Sequence, residues 1–398
     1  MADSSVPLRI GISLDMTWPL RRHIDIFAGI AKYAGQQENW TCIVDDFAIE
    51  TLEDASRKDK PFDGIIARVT PRLAAAAKRL KTPLINVWFN SPAKDQITIC
   101  PDNTVAGEWV GQHLLSRGVR RVLCLIRRGD KGERMGADAI AALMSNDGGS
   151  CDVIRISLDF ARSKGQWEKT RALIENWVRS ESAPAGLYAG VDILGRLAAQ
   201  ALAVMGFHVP NDVAIVAGFN EPTLCLYPEP ALTSLEFGYD QIGFEAARLL
   251  GQLLDGAQLE PGVIIMPPRE LVVRQSSDFV YVEEKVVNAA MQFIAANSHK
   301  SIGVEDVVRA GDVSRRKLET RFEQCLGRTV ATEIRRVRIE QAKRLLAANE
   351  LPVAEIAKVV GFGTNSQMAR VFQRELGLSP RTYRDQYHDR ALTQTDST

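Results

Sequence analysis

A change of period part-way along the chain limits its folds more than any other feature. From Leu8 to Leu271, short β-branched runs alternate with longer stretches of helical spacing. The strand candidates are Leu8–Leu14, Trp40–Val44, Gly64–Arg68, Pro83–Val87, Ile97–Ile99, Val122–Ile126, Val153–Ile156, Gly186–Ala189 and Val213–Gly218. Between them, His23–Gln36, Thr104–Arg117, Gly165–Ser180 and Gly195–Met205 have the spacing of helices. Such alternation predicts a mostly parallel, doubly wound α/β architecture. The stretch is longer than one sheet uses, so two similar lobes are expected. Leu271–Glu284 then breaks the pattern. It opens as a strand, passes through Gln275-Ser276-Ser277-Asp278, and leads into a chain whose apolar residues recur only at helical spacing. The expected organisation is an α/β module at 8–276, a linker at 277–285 and an all-α module at 286–388. Leu392–Thr398 reads as a polar tail.

Bulk properties exclude several classes. The 398 residues are 45% hydrophobic and 25% charged, the makeup of a folded globular protein. No apolar run reaches the length of a membrane span, and Met1–Pro7 lacks the basic and then apolar pattern of an export signal. A cytoplasmic protein without a membrane partner is expected. The six cysteines are scattered singly with no CxxC pair, which points to reduced thiols and neither disulfides nor a zinc site. No Walker A loop, GxGxxG, GxSxG or HExxH motif is present, and the five histidines stand apart from one another in the sequence. The expectation is a non-enzyme with no catalytic residues, no metal and no cofactor. A net charge of zero hides an asymmetry: from Lys285 onward there are 19 Lys and Arg against 13 Asp and Glu. A basic C-terminal part is suited to a polyanion.

That part holds two similar units. In the first, Val304–Arg309 points Val304, Val307 and Val308 toward a core, and Ala310-Gly311-Asp312 forms a turn. A second helix starts at Ser314, whose hydroxyl can cap it. Leu318, Phe322 and Cys325 lie at i, i+4 and i+7 on that helix and predict a buried stripe; Arg315, Arg316, Glu319 and Thr320 occupy the other side. In the second unit, Val353, Ile356, Ala357 and Val360 precede Gly361, which is placed to end the helix in a left-handed conformation. The following helix, Thr364–Leu376, would bury Met368, Val371, Phe372 and Leu376 and expose Thr364, Asn365, Gln367 and Arg370. Two helices joined by a tight turn form a helix-turn-helix. The connector Val330–Ala348 is about 28 Å long as a helix, near one turn of B-DNA, so both second helices can reach successive major grooves. Ile356-Ala357, Gly361-Phe362, Phe372, Gly377, Ser379-Pro380 and Tyr383-Arg384 resemble the signature of AraC-type DNA-binding domains over about Val286–Gln386. The resemblance implies base contacts from Arg316, Glu319 and Thr320 on the first recognition helix and from Thr364, Asn365, Gln367 and Arg370 on the second. Arg suits guanine, and Asn and Gln suit adenine. Arg315, Lys317, Arg335, Arg381 and Arg384 read as phosphate contacts or solvated charges. Met368 stands where the family usually has an aromatic core residue.

In the α/β module three stretches are informative: Asp102-Asn103 through His113-Leu114-Leu115 to Gly118; Gly190-Val191-Asp192 through Val209-Pro210-Asn211-Asp212 to Gly218-Phe219-Asn220; and Leu232-Thr233-Ser234-Leu235 with Gly243 and Ala246-Ala247. They resemble LacI-type sensor domains, whose fold is that of periplasmic sugar-binding proteins. The fold class implied is a two-lobed periplasmic-binding-protein-like α/β sensor followed by an all-α double helix-turn-helix domain. That order resembles the xylose operon regulators. It implies a transcription regulator that binds double-stranded DNA, dimerises through its lobes, senses a small-molecule effector such as the sugar xylose, and activates sugar-utilisation genes, engaging RNA polymerase as it does so. A ligand in open α/β sheets sits beyond the carboxyl ends of the strands. Sugars call for hydrogen-bonding groups beside an aromatic face. The candidates at strand ends are Asp15, Trp18, Trp88 with Phe89, Arg134, Asp192 and Asn220; Asp192 also reads as a helix cap. The family usually has Asp at the position of Asn220. The alternative is the same architecture sensing a non-pentose ligand or acting as a repressor.

Overall fold

The strand–helix alternation builds two parallel sheets. Residues 7–16, 21–157, 164–180, 184–279, 284–348 and 351–385 are described in the computed structural model. The chain divides into two compact units, Met1–Val280 and Tyr281–Thr398. In the first, β1 (Leu8–Ser13), α1 (Arg22–Ala34), β2 (Trp40–Val44), α2 (Ala48–Asp54), β3 (Gly64–Ala67), α3 (Pro71–Leu80), β4 (Leu84–Asn86) and β5 (Ile97–Pro101) make one lobe. The second lobe contains α4 (Asn103–Ser116), β6 (Arg121–Arg127), α5 (Lys131–Asn146), β7 (Ser150–Ile156), α6 (Lys164–Arg179), β8 (Ala185–Ala189), α7 (Asp192–Val204), β9 (Val213–Gly218), α8 (Pro222–Leu226) and β10 (Thr233–Glu236). The chain returns through α9 (Tyr239–Leu254) and β11 (Gly262–Met266), then crosses again to β12 (Glu270–Val272). The sheet orders are β11-β5-β4-β3-β1-β2 and β12-β10-β9-β8-β6-β7, parallel throughout except for β12 against β10.

Both sheets are covered on two faces, so their central strands are near-continuous apolar runs. Ile10, Ile12, Ile65, Ile66, Ile85 and Ile99 are fully buried in the first lobe; Leu123, Leu125, Leu187, Val213 and Ile215 are fully buried in the second. Each such side chain contributes about 1.5–3 kcal/mol by leaving water. Helix α9 lies against α1 so closely that only glycine fits at the crossing. A Cβ added at Gly29 would lie 1.8 Å from the Asp240 carbonyl oxygen, and one at Gly243 would lie 1.9 Å from that of Ile26.

The chain passes between the lobes after β5, after β10 and after β11. This topology brings the carboxyl ends of β3, β4 and β5 and those of β6, β8, β9 and β10 to one cleft. Ser277 and Asp278, expected in the linker, belong to the first unit. Ser277 is fully buried, donates to Thr233 Oγ1 at 2.7 Å and meets His113 Nε2 at 2.7 Å; Asp278 lies 3.8 Å from Arg117.

The second unit consists of α10 (Lys285–Asn297), α11 (Val304–Ala310), α12 (Arg315–Leu326), α13 (Val330–Ala348), α14 (Val353–Val359) and α15 (Asn365–Leu376), with no strand among the described residues. Helix α13 is the shared beam. Its Val330 and Ile334 complete a core with Val287, Ile294, Val307, Leu318 and Phe322. Its Ile339, Ala342 and Leu346 complete another with Ile356, Phe362, Met368, Val371 and Phe372. The expected tail Leu392–Thr398 lies outside the described residues.

Candidate functional site

The cleft of the first unit encloses about 610 Å³, its mouth included. Arg68 follows β3; its guanidinium stacks 4.7 Å from the centroid of the Trp88 ring and lies 3.7 Å from the Asp15 carboxylate. Arg22, at the start of α1, sits 5.8 Å from the Phe219 ring centroid and reaches the Tyr239 hydroxyl. His23 bonds through Nδ1 to the Asp15 carbonyl at 2.9 Å. Burial pushes its pKa down to about 4, and the neighbouring Arg22 and Arg68 push the same way, so its imidazole is neutral at pH 7. From the other lobe, Arg127 at the end of β6 is held by two carboxylates. Its Nε donates to Glu133 Oε1, its backbone N–H to Glu133 Oε2 at 2.6 Å, and Nη2 to Asp130 Oδ2 at 2.9 Å. Arg127 and Glu133 are 6% and 5% exposed, so this ion pair is nearly dry. Phe219 stacks on Tyr239 at 5.9 Å and tilts against Phe237 at 5.6 Å, giving the cleft an aromatic wall.

Hydrogen bonds of Asn90 cross between the lobes at this cleft. Asn90 Nδ2 donates to Asp130 Oδ2 at 3.1 Å, and the Lys131 backbone N–H donates to Asn90 Oδ1 at 2.8 Å. Asp130 also caps α5 by accepting from the Glu133 backbone at 3.0 Å. One residue therefore fixes a helix end, orients Arg127 and ties the lobes.

In the second unit, Ser314 Oγ accepts from the Lys317 backbone at the start of α12, and Thr364 Oγ1 accepts from the Gln367 backbone at the start of α15. Each helix ends at a left-handed glycine, Gly327 (φ 63°) and Gly377 (φ 69°). Leu318 and Phe322 face inward on α12; Met368, Val371 and Phe372 do so on α15. A shallow groove along α12 is bordered by Ser314, Arg316, Lys317, Thr320, Arg321 and Gln324.

Comparison with known proteins fits this architecture. Residues 112–277 match the model of the periplasmic binding protein-like domain, and residues 307–386 match that of a helix-turn-helix domain. The xylose operon regulatory protein of Escherichia coli strain K12 is 25% identical over 369 residues, which span 90% of this chain and 93% of that protein. The chain is a DNA-binding transcription regulator with a periplasmic-binding-protein-like domain and an AraC-type helix-turn-helix domain. The solved structure of the xylose-binding transcription activator xylR matches the regulator's fold with a TM-score of 0.73 at 23% identity, over 96% of this chain and 99% of that one. A LacI family regulator from Enterococcus faecium with bound ribose aligns with 69% of the chain and all of its own, at 20% identity and a TM-score of 0.53.

The regulator's expected effector residues scatter. Trp88 and Phe89 line the cleft, while Asp15 stands outside the lining and touches Arg68 and His23, which belong to it. Asp192 lies 1% exposed and does not line the cleft: its carboxylate accepts from the Glu221 backbone at 2.8 Å and from Ser234 Oγ at 2.6 Å. It does not cap α7 either. Burial pushes its pKa up to about 7. Asn220, at φ 50°, is turned toward Glu236 and Arg274, bonding them at 3.1 and 2.6 Å. Arg134 is exposed on α5, away from the lining; Trp18 lies outside the described residues. The sequence reading missed Arg22, Arg68, Arg127 and Glu133, although Arg68 and Arg127 stand at carboxyl ends of strands, where a signal existed.

On the helical side, Arg315, Arg316, Thr320, Thr364, Asn365, Gln367 and Arg370 are exposed and Glu319 is half-buried. Cys325 corrects the expected stripe, because it is exposed. It lies in the last turn of α12, where Leu326 and not Cys325 packs against the core. Arg384 donates to the Leu351 carbonyl at 2.6 Å and Arg335 to Thr332 Oγ1 at 3.0 Å, whereas Lys317 and Arg381 are exposed. Among the described residues no cluster of His, Cys, Asp and Glu could hold a metal ion, and no helix is long and apolar enough to cross a membrane.

Proposed function

We propose that this regulator senses a sugar in the cleft between its lobes and activates sugar-utilisation genes in the cytoplasm, bound to DNA as a homodimer. The observation that carries the reading is the cleft itself, which combines guanidinium, carboxylate and amide groups with an aromatic wall at the carboxyl ends of two parallel sheets. The relatives named for xylose and the ribose-bound neighbour support a sugar as the effector. The bonds from Asn90 to Asp130 and Lys131 join the lobes only when they are close. A sugar that adds contacts to both walls favours that closed arrangement by its differential affinity for it. Closure alters how two protomers present their helical units to paired half-sites and to RNA polymerase.

At the DNA, Arg316, Glu319 and Thr320 on α12 and Asn365, Gln367 and Arg370 on α15, with its cap Thr364, are the base-reading set, and Arg315 is a phosphate contact. The test has two parts. Thermal unfolding of the full chain against xylose, arabinose, ribose, glucose and the sugar acids should show a selective rise in midpoint. A ligand at 100 times its Kd adds about 2.7 kcal/mol to the native state. No rise with any of them would end the sugar-sensing reading. A footprint on DNA selected from a random pool should cover two half-sites; protection of one at saturation would end the dimer reading.

A further inference from the structure

Two thiols that take no part in the cleft meet at the edge of the second lobe. Strand β7 ends its sheet and has only β6 beside it. The parallel register sets Cys151 beside Val122 and Val153 beside Cys124. Residues two apart on a strand share a face, so both cysteines project on the same side of the sheet. Their Sγ atoms are 3.5 Å apart. Leu123 and Leu125 point the other way, into the lobe's core. On the cysteine side Asp138, exposed on α5, lies near enough to act on both thiols. The pair is unequal. Cys124 is fully buried, whereas Cys151 is half-buried on the edge strand. The hydrogen bond between them pushes the Cys151 pKa down and, together with burial, pushes that of Cys124 up, so the more open sulfur is the better thiolate.

We propose that Cys124 and Cys151 are an oxidation site, a dithiol that a peroxide converts to a disulfide. The Cys151 thiolate attacks one oxygen of hydrogen peroxide: an S–O bond forms, the O–O bond breaks, and the departing hydroxide takes up a proton as water. Cys124 gives up its thiol proton, and its sulfur attacks the sulfenic sulfur of Cys151. The S–S bond forms, the S–O bond breaks, and hydroxide leaves with that proton as the second water. The two sulfurs together lose two electrons, which the peroxide takes up. A disulfide is about 2.0 Å long, so the sulfurs close by roughly 1.5 Å. They lie diagonally across the strands, and β7, paired on one side only, yields to them. Exchange with a free thiol reverses the step. The bond closes the segment 124–151 on itself. That segment carries Arg127, Asp130, Lys131 and Glu133, which supply the ion pair of the cleft and the tie between the lobes. Cys124 also stands beside Tyr188, which lines the cleft. Oxidation therefore staples the part of the sensor that faces the other lobe, and its chemistry is independent of what the cleft binds.

The test adds hydrogen peroxide to the full chain, first reduced and then freed of reductant, and digests it with trypsin under non-reducing conditions. Cleavage at Arg121, Arg127, Arg134 and Arg155 puts the two thiols on different peptides. Mass spectrometry should find those peptides joined, two hydrogens lighter than their sum, and dithiothreitol should part them. Cys325, exposed in the second unit, reports that oxidant was present. In Cys124→Ser the reaction stops at its first step, and dimedone should trap the Cys151 sulfenic acid; in Cys151→Ser, Cys124 should stay a free thiol. The joined peptides are read on the unmodified chain, so a variant that folds poorly leaves the decisive result standing. If Cys325 is oxidised while Cys124 and Cys151 remain free thiols, or if Cys151 goes on to sulfinic acid with no joined peptides, the proposal falls.

Discussion

The two helix-turn-helix units share a skeleton and differ at the turn. Both recognition helices start on a hydroxyl cap, Ser314 or Thr364, end at a left-handed glycine, and bury an aromatic residue, Phe322 or Phe372, against α13. In the first turn Gly311 has φ −84°, and the left-handed residue is Asp312 at φ 47°. In the second, Gly361 itself has φ 83°. A Cβ there would meet the carbonyl oxygens of Ser298 and Lys300 at 2.4 and 2.7 Å and Arg338 Nε at 2.9 Å. Ser298 and Lys300 belong to the loop that leads into the first unit, and Arg338 comes from the shared helix α13. The second turn is thus a joint between the units, whereas the first is a local connection. Equal sequence logic produced two turns with unequal structural duties.

The largest effect should follow from Gly361→Ala. The strained φ costs about 1 kcal/mol, and the collision is with backbone carbonyls that cannot swing away. A loss of about 3 kcal/mol or more is expected in the helical unit's transition during denaturant unfolding of the full chain. A loss below about 1 kcal/mol would mean that the joint yields. Arg338→Met comes next. Its guanidinium donates to the carbonyls of Ser298, Lys300 and Ile302, each at 2.9 Å, and is 8% exposed. Removing it strands three acceptors in a poorly hydrated joint, for an expected loss of about 2–3 kcal/mol in the same transition.

The outward faces differ too, and binding measurements can sharpen that contrast. On α12, Arg315 is engaged by Glu305 at 2.6 Å and by Glu319 at 3.0 Å. On α15, Asn365, Gln367 and Arg370 stand exposed, as does its cap Thr364. Arg370→Ala should weaken binding to a selected DNA site by about 1–3 kcal/mol and relax base preference at one position. Equal losses on selected and random DNA would reassign Arg370 to phosphate. Arg315→Ala should cost under about 1 kcal/mol, uniform across sequences and with a shallower salt slope, because its exposed pairs are worth little in water.

How far the sequence could be read follows the same division between local and non-local causes. Period and capping placed the sheets and both recognition helices, since each of those signals acts within a few residues. The exposure of Cys325 was hidden because helical spacing assigns a face without saying where the covering neighbour ends. Likewise, strand ends located Asp192 and Asn220, but not the partners across the lobe, Ser234 and Arg274, that draw their polar atoms away from the cleft. Arg127 sat in plain sight in a charged run, and only the fold shows that Glu133 and Asp130 close over it. The strand at Gly262–Met266 is an apolar run at a sheet edge, with Val263, Ile264 and Ile265 all exposed, so its role comes from pairing with β5.

The smallest effect carries the opposite sign. At Gly311 the nearest atoms to an added Cβ are the Val307 carbonyl oxygen at 3.5 Å and Val313 Cγ2 at 3.6 Å, ordinary contact distances. Its backbone is right-handed helical, a conformation alanine adopts without strain. Alanine has fewer unfolded conformations to lose than glycine, so Gly311→Ala should stabilise the helical unit by about 0.4–1 kcal/mol. Because none of the atoms nearest the added Cβ belongs to Arg338 or Gly361, it should also add to the effects of their variants with no coupling. A double variant with Gly361→Ala tests this directly in the same unfolding transition. If the two changes couple, the first turn also senses the joint, and the two units would then share one mechanical element through α13.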